Sequence, residues 1–200
     1  MAHRLHAPTL DKFSGKEKTM QETRATNEFT EGTLERLSGR MLAQAGKHLT
    51  FLLANESYGL EILKVQEIIG MMAITRVPQT SHFVRGVINL RGKVIPVIDL
   101  RLKLGLEAKE TTSRTCIIVV QIQSSESVTT MGIIVDEVSE VVDIAENQLE
   151  PAPEFGESAL ETDFLIGMGK IHDRVVMILD VDKLVLASEK NLMTIASEAA

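Results

Sequence analysis

The chain has 200 residues, 44% of them hydrophobic and 24% charged, which describes a globular protein of one or two domains rather than a disordered or fibrous chain. The net charge is −7, tryptophan is absent and aromatic residues make up 4%, so a basic, aromatic-rich nucleic-acid surface is disfavoured. No apolar run approaches the roughly 18 to 20 residues of a membrane-spanning helix, and a single cysteine indicates a reducing cytoplasm.

The charge is divided unevenly along the chain. Residues 1–47 carry eight Lys or Arg against six Asp or Glu, residues 48–106 seven against four, and residues 107–200 six against eighteen, which gives +2, +3 and −12. Opposite charges on similar halves would suit end-to-end assembly with a similar partner, because complementary potentials speed encounter and fix register. A solvated acidic face is the open alternative.

Residues 1–46 are polar and lack a sustained period, which predicts a mobile N-terminal extension. Next, residues 49–53 and 58–62 predict a β-hairpin. Thr80 and Ser81 predict the cap of a short helix that ends near Gly86.

A second hairpin is predicted around Arg91-Gly92, where glycine supplies the positive φ of a tight turn. The second half of the chain predicts five more strands and a C-terminal helix, at residues 115–123, 130–135, 138–144, 165–170, 175–179 and 181–197 respectively.

Two stretches of the chain repeat each other. Residues 59–69 align without a gap on 132–142, and residues 86–99 align on 167–180, with a turn and a terminal aspartate in matching places. The repeated order predicts a duplicated β module, the alternative being a chance match of short aliphatic strands.

Many short strands at regular spacing predict a mainly β protein with a few short helices. The duplication predicts two subdomains, at about 47–110 and 111–180. Each module alone would bury only about 60% of its unfolded surface, so we expect a shared core, with a groove at the junction.

The residues that could support catalysis are few. The histidines lie far apart without metal-ligand spacing, and Cys116 reads as a small core residue rather than a reactive thiol. Asp136, Glu137 and Glu140 could form a carboxylate pair, but their alternation with apolar residues favours an outward polar face. We therefore predict a binding protein with no enzymatic activity, cofactor or metal.

Five segments together resemble the chemotaxis coupling family CheW, in the right order over residues 47–190. These are Tyr58-Gly-Leu-Glu-Ile-Leu-Lys-Val-Gln-Glu-Ile68, Gly86-Val-Ile-Asn-Leu-Arg-Gly92, Pro96-Val-Ile-Asp-Leu-Arg101, Gly132-Ile-Ile-Val-Asp136 and Pro151-Ala-Pro-Glu-Phe155.

The resemblance implies two SH3-like five-stranded β-barrel subdomains packed together, without catalysis. It also implies an adaptor that couples the cytoplasmic tips of methyl-accepting chemoreceptors to the regulatory domain of the histidine kinase CheA, with other CheW copies as further ring partners. The location implied is cytoplasmic, at membrane-associated receptor arrays reached through protein partners.

The receptor-facing residues implied by the resemblance are Ile62, Val65, Glu67, Asn89 and Arg91. Ile62 and Val65 would accept the apolar side of a helical hairpin, whereas ordinary core positions are the alternative. For Arg91 the alternative is an exposed turn residue, and for Asn89 a side chain that bonds its own hairpin.

Gly86 and Gly92 are predicted to be structural.

The kinase-facing or ring-interface residues implied are Pro151, Pro153, Glu154 and Phe155, with Phe155 as an apolar anchor on a stiff loop. A linker whose Phe155 folds back onto a barrel is the alternative. Glu150 is acidic where some relatives carry a basic residue, which leaves the partner at that edge open.

Two other functions stay open at this point. One is a coupling adaptor of a non-flagellar chemosensory pathway, and the other is a small-barrel enzyme that uses Asp136, Glu137 or Glu140.

Overall fold

The structure is a computed structural model that describes residues 45–124, 127–152, 164–171 and 173–186. Within these residues the strands are β1 (Gly46–Leu53), β2 (Glu56–Glu61), β3 (Val65–Gly70), β4 (Val84–Leu90), β5 (Lys93–Asp99), β6 (Cys116–Gln123), β7 (Val128–Val135), β8 (Glu137–Ile144), β9 (Leu149–Pro151), β10 (Leu165–Ile171) and β11 (Arg174–Leu179). The helices are α1 (Leu100–Lys103) and α2 (Val181–Leu186), with 3₁₀ turns at Ile62–Lys64 and Glu146–Gln148. The predicted mainly β class is confirmed.

Some predictions fall outside these residues: the extension up to residue 44, the interface residues Pro153, Glu154 and Phe155, and the C-terminal helix beyond residue 186. No helix in the described ranges is long and apolar enough to cross a membrane.

Both predicted hairpins are confirmed, and both turn through two residues with positive φ. Ala54 and Asn55 join β1 to β2 with φ of 51° and 71°, and Arg91 and Gly92 join β4 to β5 with φ of 54° and 86°. Two-residue turns of this kind match the right-handed twist of the strands, which is why Asn and Gly stand there.

The helix predicted after Thr80 is wrong, because the segment forms turns instead. The Thr80 hydroxyl donates back to the carbonyl of Val77 at 3.0 Å rather than capping the residues that follow. The backbone N–H of Val84 then closes a turn onto Ser81 at 2.9 Å, and the chain enters β4.

The strands form two sheets that exchange strands between the sequence halves. The first sheet has the order β8-β1-β2-β11-β10-β9, and the second has the order β3-β6-β7-β5-β4. The predicted division at about residue 110 is therefore corrected, since each sheet takes strands from both sides of it. The physical reason is that the chain crosses between sheets twice, from β2 to β3 and from β7 to β8.

The predicted duplication is confirmed by the strand register. In the first sheet β11 pairs in parallel with β2, placing Ile178 opposite Gly59. In the second sheet β5 pairs in parallel with β7, placing Val97 opposite Gly132. The sequence alignment matches Gly59 with Gly132 and Val97 with Ile178. The two repeats therefore form the same parallel pairing. We call β1–β5 with α1 the first repeat, and β6–β11 with α2 the second.

The matching extends to the ends of the strands. Each hairpin shifts its register at the aligned glycine, at Gly86 in β4 and at Gly167 in β10. The aligned aspartates accept hydrogen bonds from the backbone of the helix that follows, Asp99 at the start of α1 and Asp180 at the start of α2.

An ion pair links strands that lie far apart in the order of each sheet. Glu67 on β3 meets Arg91 of the β4–β5 turn at 2.8 Å, and Glu140 on β8 meets Arg174 of β11 at 3.0 Å. Since β3 and β4 are the outermost strands of the second sheet, this sheet curls as a barrel requires. Closure of the two sheets into SH3-like barrels stays a prediction, and the first sheet has six strands where five were predicted.

The two sheets share one hydrophobic core, as predicted. On β6, Ile118, Val120 and Ile122 belong to a central cluster that contains side chains of both sheets, whereas Ile117 and Val119 belong to a separate cluster of the second sheet. Because β6 is buried on both faces, its sequence reads as a continuous apolar run. The first sheet has a third cluster of its own.

Replacing Gly86 by alanine is expected to lower the free energy of unfolding by about 2 kcal/mol, because an added Cβ would overlap the Thr75 carbonyl and φ is +133°. Urea unfolding measures the change. Gly70→Ala is the matched control, since a Cβ there meets nothing within 4 Å. Equal losses at both positions would contradict this explanation.

Candidate functional site

The crossing from β2 to β3 presents apolar side chains between the two sheets. Ile62 and Val65 are half-buried and pack against the central cluster, and Leu63 between them is 81% exposed. Ile62 and Val65 are therefore neither fully core nor fully free, so each combines a packing role with an accessible edge. We call residues 62–65 the crossing segment.

A charged pair lies farther along β3, beyond a shift in strand register between Val65 and Glu67. The Arg91 guanidinium donates to the Glu67 carboxylate at 2.8 Å, and 79% of the Arg91 side chain is exposed. The ion pair holds the Arg91 side chain beside β3. One face of the Arg91 guanidinium stays open to a partner. A pair this exposed contributes little to stability, about 1 kcal/mol or less.

Asn89 serves its own hairpin, the alternative considered above. Its side-chain oxygen accepts a hydrogen bond from the backbone N–H of Gly92 at 2.8 Å. Asn89 is exposed and lies beside Arg91. The structure thus brings Glu67, Arg91 and Asn89 together at the edge of the second sheet, whereas Ile62 and Val65 pack toward the central cluster.

A cavity of about 270 Å³ opens beside the crossing segment. It is lined by Ala45, Gly46, Lys47, His48, Glu61, Ile62 and Leu63. Sequence analysis missed Leu63, whose one signal is an apolar side chain directly after a predicted strand.

His48 is a buried polar side chain at this cavity. Its Nδ1 lies 3.0 Å from the carbonyl oxygen of Gly46, and its Nε2 is buried without a hydrogen-bond partner. Burial lowers the pKa of His48 from its ordinary 6.5, against smaller opposite effects of the Gly46 carbonyl and of the charges on Glu61 and Asp143. The folded protein therefore favours neutral His48.

Of the residues predicted for the kinase or ring interface, the described part of the chain contains Pro151. It ends β9, is exposed, and pairs with Gly167. The neighbouring Glu150 forms an ion pair with Lys170 of β10, which gives this acidic residue a partner within its own chain.

The three carboxylates considered for catalysis face different cations. Asp136 lies 2.7 Å from Arg101, Glu137 lies 2.9 Å from Arg114, and Glu140 binds Arg174. Within the ranges that the structure describes, no group of three His, Cys, Asp or Glu is placed to hold a metal ion.

Cys116 is half-buried at the start of β6, and burial raises the pKa of its thiol. A thiol with a raised pKa holds its proton at neutral pH and is a poor nucleophile.

Comparison with known proteins agrees with this architecture. The CheW-like domain family matches residues 47–189, most of the chain. This chain belongs to the CheW-like domain family. The chemotaxis protein CheW of Klebsiella aerogenes is 38% identical over 161 residues, which cover 80% of this chain and 93% of that protein. CheW of Bacillus subtilis is 34% identical over 154 residues, covering 76% and 94%.

A solved structure has the same fold. The crystal structure of the scaffolding protein TtCheW from Thermoanaerobacter tengcongensis superposes with a TM-score of 0.63 at 38% sequence identity. The match covers 70% of this chain and 92% of that one. The family resemblance drawn from the sequence motifs is thereby confirmed.

The stability of the domain is expected to fall as the pH drops below about 6.5. The unfolded chain protonates His48 at its ordinary pKa, whereas the folded chain resists protonation until a lower pH, so folding is progressively disfavoured in that window. One such proton contributes a slope of at most about 1.4 kcal/mol per pH unit. Urea unfolding from pH 7.5 to 5.0 measures the effect.

His48→Gln should flatten this pH dependence, and His82→Gln, at an exposed histidine, should leave it as in the unaltered protein. An unchanged slope in His48→Gln would show that other groups cause it.

Proposed function

We propose that this chain is a non-catalytic adaptor that couples the cytoplasmic tips of chemoreceptors to a CheA-type histidine kinase. The observation that carries the proposal is the crossing segment, where half-buried Ile62 and Val65 and exposed Leu63 lie beside the Glu67–Arg91 ion pair in a member of the CheW-like family. The relatives that match are named chemotaxis proteins, and one solved relative is described as a scaffold.

The receptor element best suited to this surface is an amphipathic helical hairpin. Its apolar side would contact Ile62, Leu63 and Val65, and its polar side would meet Glu67 and Arg91, which fix the register. Contacts in the micromolar range, about −8 kcal/mol each, are sufficient because an array adds effective concentration. Asn89 supports the hairpin that carries Arg91.

The opposite edge is proposed to contact the kinase regulatory domain or a second coupling protein. Pro151, Pro153, Glu154 and Phe155 would form this contact, with Phe155 as the apolar anchor. The charge asymmetry persists at the level of the sheets: the first sheet's strands carry six acidic residues against three Lys or Arg, and the second sheet's strands carry two of each. The acidic first sheet would repel a second acidic edge more than the net-neutral second sheet would, which disfavours like first-sheet edges meeting in a ring.

Through these partners the protein would lie at cytoplasmic receptor arrays. A non-flagellar chemosensory pathway would use the same surfaces, and the receptors that co-purify with the protein distinguish the two. The enzyme alternative loses support because Asp136, Glu137 and Glu140 are each paired with a different cation rather than facing one another.

Kinase reconstitution tests the proposal directly. Adding this protein to receptor tips and CheA should raise kinase activity, and Val65→Glu should abolish the increase. The substitution puts a charge where a partner's apolar side chain docks, at a cost of roughly 1.5–3 kcal/mol, or about ten- to a hundredfold in receptor affinity.

Val138→Glu is the matched control, since Val138 is the aligned residue of the second repeat and is likewise half-buried against the central cluster. It should cost similar stability and keep receptor binding. Failure of the unaltered protein to bind receptor tips or to change kinase activity would refute the adaptor function. If Val65→Glu unfolds the protein and Val138→Glu does not, Val65 is a core residue and not a contact residue.

A further inference from the structure

A part-buried ion pair fixes the end of the crossing segment. The ammonium group of Lys64 lies 2.6 Å from one carboxylate oxygen of Asp182 in α2. The other oxygen accepts a hydrogen bond from the backbone N–H of Gln123, the last residue of β6, at 2.7 Å. Both side chains are about three-quarters shielded from solvent, so salt screens this pair less than a surface pair. One carboxylate thus joins the crossing, a helix and a strand end.

The second crossing has a similar arrangement. Arg101 of α1 donates to the carboxylate of Asp136, between β7 and β8, at 2.7 Å. The same carboxylate accepts the backbone N–H of Ala54, just after β1, at 3.1 Å. We call these two arrangements the Lys64 clamp and the Asp136 clamp.

The alignment of the repeats makes the helix residue and the strand-end residue of the two clamps equivalent, whereas Asp136 lies one residue before Glu137, the position that aligns with Lys64. Arg101 aligns with Asp182, and the register that puts Thr50 opposite Gly59 and Val119 opposite Gly132 makes Ala54 equivalent to Gln123. The polarity is reversed, however: the carboxylate is on the helix in the Lys64 clamp and on the crossing in the Asp136 clamp. What the two share is therefore the geometric tie between crossing, helix and strand end, and not the sign of any one charge.

The crossing segment depends on the Lys64–Asp182 ion pair because its own hydrogen bonds do little to fix its backbone conformation. Ile62–Lys64 is a 3₁₀ turn of three residues, and the residue before it, Glu61, makes no side-chain cap. Short 3₁₀ turns have poorer hydrogen-bond geometry than α-helices. The exposed Leu63 in its middle gains nothing from burial within the domain.

We propose that Asp182 and Lys64 are positioning residues that hold the crossing segment in its partner-binding conformation. The proposal rests on the function proposed above. It makes the C-terminal helix of the second repeat a support for a binding surface formed by the first repeat. Neither side chain needs to touch the partner.

The test measures affinity for receptor tips in single and paired variants of the full chain. Asp182→Asn removes the charge but keeps an oxygen for the Gln123 N–H, and it should weaken binding about tenfold. Lys64→Asp with Asp182→Arg copies the polarity of the Asp136 clamp and should restore binding to within about threefold of the unaltered protein. Hydrogen exchange at the amides of residues 62–65 should accelerate in Asp182→Asn and slow again in the paired variant.

Arg101→Gln, which breaks the other clamp, is the matched control. It should cost comparable stability while leaving receptor affinity and exchange at residues 62–65 unchanged. Equal loss of affinity in Arg101→Gln and Asp182→Asn would overturn the positioning role, because general destabilisation would then explain both.

Two further outcomes separate this proposal from the adaptor function. If Asp182→Asn binds like the unaltered protein while Val65→Glu does not bind, the positioning role fails and the adaptor function stands. If the unaltered protein does not bind receptor tips, both fail.

Discussion

The central hydrophobic cluster is the constraint on which the rest of the structure depends. It is filled by alternate residues from strands of both sheets, and each sheet is completed by strands of the other repeat. Neither repeat can therefore bury its own apolar surface alone, since removing one would take strands out of both sheets. At roughly 60 residues, a single module would also be too small to bury enough surface for ready independent stability.

This exchange of strands accounts for the position of the proposed binding surface. Because the chain must pass from one sheet to the other, it leaves regular pairing at the crossing, where a strand ends and the next begins in a different sheet. The crossing segment packs Ile62 and Val65 against the shared core and leaves Leu63 exposed. In the function we propose, binding energy and folding energy would come from neighbouring residues of the same segment, which the Lys64–Asp182 ion pair joins to α2.

Short sequence patterns predicted most of the turns, hairpins and helix starts. The Arg91-Gly92 turn and the aligned glycines and aspartates indicated the hairpins and the duplication, because tight turns and helix starts impose strong local preferences. The exchange of strands was not predictable in this way, since an alignment shows which residues are equivalent but not which strands pair. The helix expected after Thr80 does not form, because the Thr80 hydroxyl donates a hydrogen bond to the preceding Val77 carbonyl. Leu63 was missed because exposure depends on neighbours distant in sequence.

The interdigitation of the repeats can be tested with two probes that occur once each in the chain. Tyr58, the single tyrosine, lies on β2 of the first sheet, and Cys116, the single cysteine, lies on β6 of the second. A denaturant titration followed by tyrosine fluorescence and by thiol reactivity should give coincident transitions, because one shared core must unfold as a unit. Separate midpoints, with one residue exposed while the other stays native, would show independent sheets and contradict this account.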